Sequence, residues 1–225
     1  MTVPVPRPTT AASFRLPAWL LILSILGFVA VIATYSVIFT PAGIGDFTAE
    51  TPEAIRGVAT GWVIARLVFA VAFAFCCVGY LFVDRRLLAI PAGRPWAIVS
   101  IVIIVVDLVV VVVGEALAIS ILDSTAATLA GDQRWMSSVF LGGIYITLSF
   151  LALTATSIAL SRSGVLPRLG LVVAAIAGLI SVVGILSTLG VTPVPAPPPL
   201  LGILGIVLGV GLLRRPRADR VSPAL

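Results

Sequence analysis

The chain alternates between six long apolar runs and short polar or proline-rich stretches. The runs cover residues 16–39, 58–83, 96–122, 135–160, 169–191 and 200–213. None has the strict period-two alternation of a half-buried strand. The first five are each long enough to cross a hydrocarbon core of ~30 Å as a helix, which takes ~20 residues. The third run, Trp96 to Leu122, is so rich in valine and isoleucine that in water it would suggest a strand. Its length, without an internal proline or turn signal, favours a spanning helix instead. The sixth run rises only roughly 21 Å at ~1.5 Å per residue, so it must borrow flanking residues, sit in thinned lipid or enter only partway.

The breaks carry their own signals. Thr40-Pro41-Ala42-Gly43 closes the first run, and Thr51-Pro52-Glu53 reads as the entry to a short helical turn. Asp84-Arg85-Arg86 is expected to end the second helix, with a turn through Pro91 to Pro95 before the third. Thr192 to Pro199 holds five prolines in eight residues and should be stiff and extended. Residues 1–15 read as a disordered tail and 214–225 as a basic tail. The first run is far longer than the apolar region of a signal peptide and no A-x-A follows it, so it is expected to be the first span.

Composition settles the solvent. The chain of 225 residues is 60% hydrophobic and 10% charged, with mean hydropathy +1.23. A soluble domain carries ~25% charged residues to face water. The expectation is therefore an all-α fold, a polytopic membrane helical bundle of six transmembrane helices whose first partner is lipid. The net charge of +5 would suit nucleic acid, but the arginines are sorted by side. Arg7, Arg15, Arg85, Arg86, Arg94, Arg162, Arg168, Arg214, Arg215, Arg217 and Arg220 share one face of a six-crossing topology, against Arg56 and Arg134 on the other. The positive-inside rule then puts both termini in the cytoplasm, and nucleic acid is dropped as a partner. Trp19, Trp62, Trp96 and Trp135 start the first four helices, where indole rings are expected at headgroup level.

Little remains for catalysis. The chain has no Lys, His or Asn, so it lacks the usual metal ligand and proton shuttle. Cys76 and Cys77 are adjacent within an apolar run, poor geometry for a disulfide, and are expected to pack, with lipid attachment as the lesser reading. Neither metal nor cofactor is expected, and no nucleophile, metal-hydrolase or phosphate-loop motif occurs, so the chain is not expected to be an enzyme. Gly43-Ile44-Gly45-Asp46 looks like the G-x-G-D of intramembrane aspartyl proteases, but no second aspartate sits in the context that chemistry requires.

Three charged residues lie inside the apolar runs: Arg66 in the second, Asp107 and Glu115 in the third. Each costs ~2.5 to 3.5 kcal/mol near a bilayer centre, so each needs an explanation. A short loop makes the two helices antiparallel neighbours. At ~1.5 Å per residue, Arg66 lies about 7 Å and Glu115 about 9 Å outward of their helix midpoints, and Asp107 about 3 Å inward. Arg66 and Glu115 are matched in depth, whereas Asp107 stands alone. The acids are about 80° apart around the helix and roughly 12 Å apart along it, too far to share a proton. Two readings stand side by side: a proton or ion site of Asp107, Glu115 and Arg66 facing the bundle interior, or an Arg66–Glu115 clamp beside a protonated Asp107.

The fourth run carries a stripe of Ser138, Gly142, Tyr145, Ser149, Ala152 and Thr156, in which Tyr145, Ser149 and Thr156 could line a polar cavity. Gly170, Ala174, Ala177, Ser181 and Gly184 form a small-residue stripe on the fifth, and Gly202, Gly205 and Gly209 on the sixth. Such stripes allow close helix approach, within the chain or with a second copy or another membrane protein.

Ser157 to Gly170, which includes Ser163-Gly164-Val165-Leu166-Pro167-Arg168-Leu169-Gly170, with the small-residue helix after it, resembles the junction between the fourth and fifth helices in a bacterial family of six-helix membrane proteins, where S-G-x-L-P-R-x-x-G recurs; this chain departs from that pattern in having one residue, not two, between Arg168 and Gly170. The resemblance covers about 35 residues. It implies six helices and a bacterial inner-membrane location and carries no activity. The expected function is that of a small transporter or permease-like protein with a protonatable Asp107. The alternative is a non-catalytic scaffold or accessory subunit of a larger complex.

Overall fold

The computed structural model describes residues 14–45, 49–191 and 198–214. Both expected tails lie almost wholly outside these residues, as do Asp46 of the G-x-G-D and most of the proline-rich connection. Every described element is helical. Helix α1 spans Arg15–Thr34 and runs on as a π-helical turn, Tyr35–Phe39. Short α2, Pro52–Gly57, has Thr51 as its cap, the hydroxyl accepting from Ala54 N at 3.3 Å, with proline in the first turn where no N–H is missed. Helix α3 is Ala59–Leu87, α4 is Arg94–Ser120 with a 3₁₀ turn Ile121–Asp123, and α5 is Gln133–Arg162. Helices α6, Pro167–Thr188, and α7, Pro198–Arg214, complete the fold.

Five of these segments are long and apolar enough to cross a membrane: Arg15–Phe39, Ala59–Leu87, Arg94–Asp123, Gln133–Arg162 and Pro167–Thr188. The apolar part of α7 is shorter. Unlike a soluble bundle, the fold has an apolar outer surface over a core that is itself mostly apolar. Val102, Val105, Val109 and Val112 of α4 are exposed, whereas Ser100, Asp107 and Glu115 of the same helix are buried. A valine face of that extent is a liability in water and an ordinary surface in lipid.

The buried residues of α4 explain its packing. Ala97, Ser100, Ile104, Asp107, Val111, Gly114 and Ala118 recur at alternating steps of three and four, the seam of a helix packed along its length. Helix α4 lies between α3 and α5, α6 packs on the far side of α5, and α1 lies between α3 and α7. The small-residue stripes are taken up by these contacts. A Cβ on Gly170 would lie 2.6 Å from Ser157 O, and one on Gly184 2.5 Å from Thr147 Oγ1, both on α5. On α7, a Cβ at Gly209 would meet Ala18 O of α1 at 2.7 Å.

The segment Ser163–Gly170, S-G-V-L-P-R-L-G, is a turn with three fixed requirements. Gly164 takes φ +71°, open mainly to glycine, just past the end of α5. Pro167 begins α6, and Gly170 lets that helix close on α5. Leu166 N donates to Leu160 O at 3.0 Å, tying the turn to the helix it leaves.

One expectation shifts and one fails. Asp84-Arg85-Arg86 is the last turn of the second long apolar helix rather than the stretch after it, because α3 runs on from Val83 to Leu87 before it stops. Arg85 and Arg86 point outward while Asp84 turns into the bundle and finds a hydroxyl, so the three charges need not leave the helix. The tryptophans also divide. Trp19 and Trp96 are 52% and 40% exposed, but Trp62 and Trp135 are 0% and 5% exposed. Their rings lie 5.8 Å apart in a buried cluster with Phe39, Ile55, Ile121 and Leu129. They stand over the Arg66 guanidinium rather than among headgroups, at 4.3 Å for Trp62 and 5.7 Å for Trp135. A buried cation offers an indole face more than an interface does.

Candidate functional site

The buried seams of α4 and α5 face each other, and the polar residues on them pair at three levels. Position on the seam fixes which acid meets which hydroxyl. Along α5, Tyr145, Ser149 and Thr156 stand four and seven residues apart, on one face of the helix. Each reaches a different carboxyl group.

At the end formed by the start of α3 and the end of α4, the Arg66 guanidinium lies 3.6 Å from Glu115 Oε2, with side chains 16% and 8% exposed. The separation is that of a loose ion pair rather than a direct hydrogen bond. Tyr145 donates to Glu115 Oε1 at 3.4 Å. Arg66 Nε and Glu115 Oε2 are buried without hydrogen-bond partners. Trp62 Nε1 donates to Ala118 O at 2.9 Å, which fixes the ring that covers Arg66. The connecting loops lie across this end: Leu129 N donates to Glu50 O at 2.7 Å, and Arg56 donates to Ser124 O at 2.8 Å. A cavity of about 500 Å³ opens beside the pair, lined by Arg66, Glu115, Tyr145, Ser138, Trp135 and Thr188 among others.

Midway along the seam is Asp107, 0% exposed. Ser149 Oγ donates to its Oδ2 at 2.6 Å, and Oδ1 has no partner. No cation pairs with Asp107 among the described residues.

A third level was not foreseen from the sequence. Asp84 of α3 is 0% exposed, and Thr156 Oγ1 donates to its Oδ2 at 3.1 Å. Ser100 Oγ of α4 is 2.8 Å from Thr156 Oγ1 and 3.2 Å from Ala152 O. Tyr145, Ser149 and Thr156 therefore do not share one cavity. Tyr145 lines the cavity beside Glu115, and the other two each hold a separate acid. One signal for Asp84 was available: it continues the buried set Phe73, Cys76, Cys77 and Tyr80 along α3 at helical spacing.

Cys76 and Cys77 are both buried free thiols, turned inward where a lipid-attachment site would face outward. Among the described residues no group of three or more His, Cys, Asp or Glu side chains could hold a metal ion.

Chemically, the seam offers carboxyl groups at three depths, each with a hydroxyl in contact and each with a buried oxygen lacking a partner. Such an oxygen, in a medium that penalises bare charge, calls for a proton, a cation or a water, and at Glu115 Oε2 the Arg66 guanidinium supplies the cation. Compared with protein-family profiles, with curated proteins and with solved structures, the chain matches none of them.

Proposed function

We propose that the chain is a small transporter or permease-like protein that couples movement of a solute to protonation of Asp107. The observation that carries this reading is the Asp107–Ser149 contact. A carboxyl group at mid-depth, wholly buried, has one hydroxyl and, among the described residues, no cation to support it. An acid in that position is costly unless it takes up a proton, and acids in such positions serve ion and proton pathways. The cavity beside Arg66 and Glu115 has the size of a small-molecule pocket, ~300 to 1,000 Å³. It would be the solute chamber, one level of the seam away from Asp107.

In this reading the chain makes six crossings in a bacterial inner membrane, both termini in the cytoplasm. Three features support it: the sorting of the arginines, the apolar character of α7 and the resemblance at the α5–α6 turn. Asp84 then lies near the cytoplasmic side, and Arg66 with Glu115 near the outer side. The scaffold alternative would need a surface other than the small-residue stripes, which are occupied by contacts within the chain.

A thermal-stability screen of the purified protein against small metabolites, at two pH values and beside Asp107→Asn, tests the reading. The expected result is a stabilising solute whose effect depends on pH in the parent protein and not in the variant. A hit with the same pH dependence in both proteins, or no hit together with co-purification of a stoichiometric partner, would sink it.

A further inference from the structure

Asp84 differs from the other two acids in its surroundings. It is buried where α3, α4 and α5 meet, at the end of the bundle away from the Arg66–Glu115 pair. Arg85, Arg86, Arg94 and Arg162 are nearby in sequence or at the same end, but all are exposed and none pairs with it. From α3 the titratable neighbour is Tyr80; from α4 and α5 the facing groups are the neutral hydroxyls of Ser100 and Thr156.

Counting hydrogens shows which form of Asp84 the surroundings accept. With Asp84 ionised, Thr156 donates to Oδ2, the single Ser100 hydrogen must serve one of Thr156 Oγ1, Ala152 O and the nearby carboxylate, and Oδ1 is a buried carboxylate oxygen without a hydrogen bond of its own. With Asp84 neutral, its own hydrogen on Oδ2 goes to Thr156, the Thr156 hydrogen to Ser100, and the Ser100 hydrogen to Ala152 O. Three hydrogens then make three bonds in series, and Oδ1 is an uncharged carbonyl oxygen. Every donor finds an acceptor in either state; the neutral state adds a third bond to the series and removes a buried charge. A bound sodium ion would need oxygens converging on one point, whereas these oxygens are linked in a row.

We propose that Asp84, Thr156 and Ser100 form a second proton-binding site of this protein, with the two hydroxyls as a reversible relay. On uptake a proton from water adds to Asp84 Oδ2, and the Thr156 and Ser100 hydrogens turn toward Ala152 O. On release the proton returns to water and the hydroxyls turn back. The site stands on its own geometry. Its role as the inner exchange point for the proton held by Asp107 rests on the transporter reading.

Infrared spectroscopy of the full chain in lipid, over a pH titration, tests the site directly. A carboxylic-acid carbonyl band is expected at neutral pH that is lost in Asp84→Asn, shifted in frequency in Thr156→Val, and unchanged in Asp107→Asn. Asn is a close mimic of the neutral acid, since its amide can donate to Thr156, so this variant is expected to keep the parent melting temperature. Should it not fold, Thr156→Val decides alone, a shifted band supporting the site and an unshifted spectrum overturning it. The proposal is also overturned if Asp84→Asn retains every acid band, or if sodium at fixed pH abolishes the Asp84 band as raising the pH does. Asp107→Asn separates the two proposals: the solute screen can fail while the Asp84 band persists, and the band can be absent while the solute effect remains pH-dependent.

Discussion

Ser149 and Asp107 are joined across the α4–α5 seam by a hydrogen bond of 2.6 Å, and Ser149 Oγ also lies 2.9 Å from Tyr145 O of its own helix. The single Ser149 hydrogen serves one of these oxygens at a time: with Asp107 ionised it goes to Oδ2, and with Asp107 neutral the acid's own hydrogen can go to Ser149 and the Ser149 hydrogen to Tyr145 O. Ser149→Ala would leave both Asp107 oxygens buried without a donor, a loss of about 1 to 3 kcal/mol. Asp107→Asn keeps an acceptor for Ser149 and should cost much less. Unfolding of the two variants in mixed detergent checks the order, and equal stability of Ser149→Ala and the parent would show that the bond is absent in the folded protein.

The Arg66–Glu115 pair should be strongly non-additive. Arg66→Met leaves Glu115 buried without its cation, at a cost of about 3 kcal/mol, the low end for breaking a buried pair because the guanidinium is partly exposed. The same variant loses the contact with the Trp62 ring. Glu115→Gln alone leaves a cation without its anion. The double variant Arg66→Met with Glu115→Gln should be more stable than the sum of the two single losses predicts. Additive losses would mean that the two charges do not sense each other.

How far the sequence carried can be judged at these residues. Counting depth along two antiparallel helices placed Arg66 and Glu115 at one level, because rise per residue is fixed, and the structure puts them 3.6 Å apart. Which hydroxyl would meet which acid was not legible, since it depends on how α5 is rotated about its axis, and rotation is set by packing. Asp84 was hidden by its neighbours: Asp-Arg-Arg reads as a helix end, and only the inward turn of one of the three side chains makes it a buried site. The burial of Trp62 and Trp135 is hidden for a related reason. An indole at a helix start looks the same in sequence whether it meets headgroups or covers a buried guanidinium. The helices themselves were legible because in lipid the backbone must satisfy its own hydrogen bonds, so a long apolar run has few alternatives.

Two glycines of α6 should respond differently to the same change. A Cβ at Gly184 meets the Thr147 hydroxyl at 2.5 Å, while a Cβ at Gly170 meets the Ser157 carbonyl oxygen at 2.6 Å. Each Gly→Ala should destabilise by about 1 to 3 kcal/mol through overpacking. Thr147→Ala removes the obstructing atom and should rescue Gly184→Ala. No side-chain change at Ser157 can move a backbone oxygen, so Gly170→Ala should resist rescue by Ser157→Ala. Melting temperatures of the four variants and two doubles check this, and rescue at both glycines would contradict the packing described.

At the cap of α5, Asp132 gives the protein a predictable response to acid. Burial alone would raise its pKa from the ordinary 3.8, but donors outweigh it. The Ser124 hydroxyl, the Arg134 side chain and the backbone N–H groups of Trp135 and Arg134 hold the carboxylate down to about 2. Arg134 N donates to Oδ1 at 2.7 Å and Trp135 N at 3.2 Å, which supplies partners for two of the free N–H groups of the first turn. A depressed value means that the folded protein binds this proton less readily than the unfolded chain. The stabilisation is therefore complete above the unfolded value and is lost as pH falls toward about 2. Asp132→Ala should cost about 0.5 to 2 kcal/mol at neutral pH, the range for a lost helix cap. The gap between parent and variant should close as the pH is lowered through that window. A gap of constant size from neutral pH down to pH 2 would mean that the carboxylate does not cap the helix.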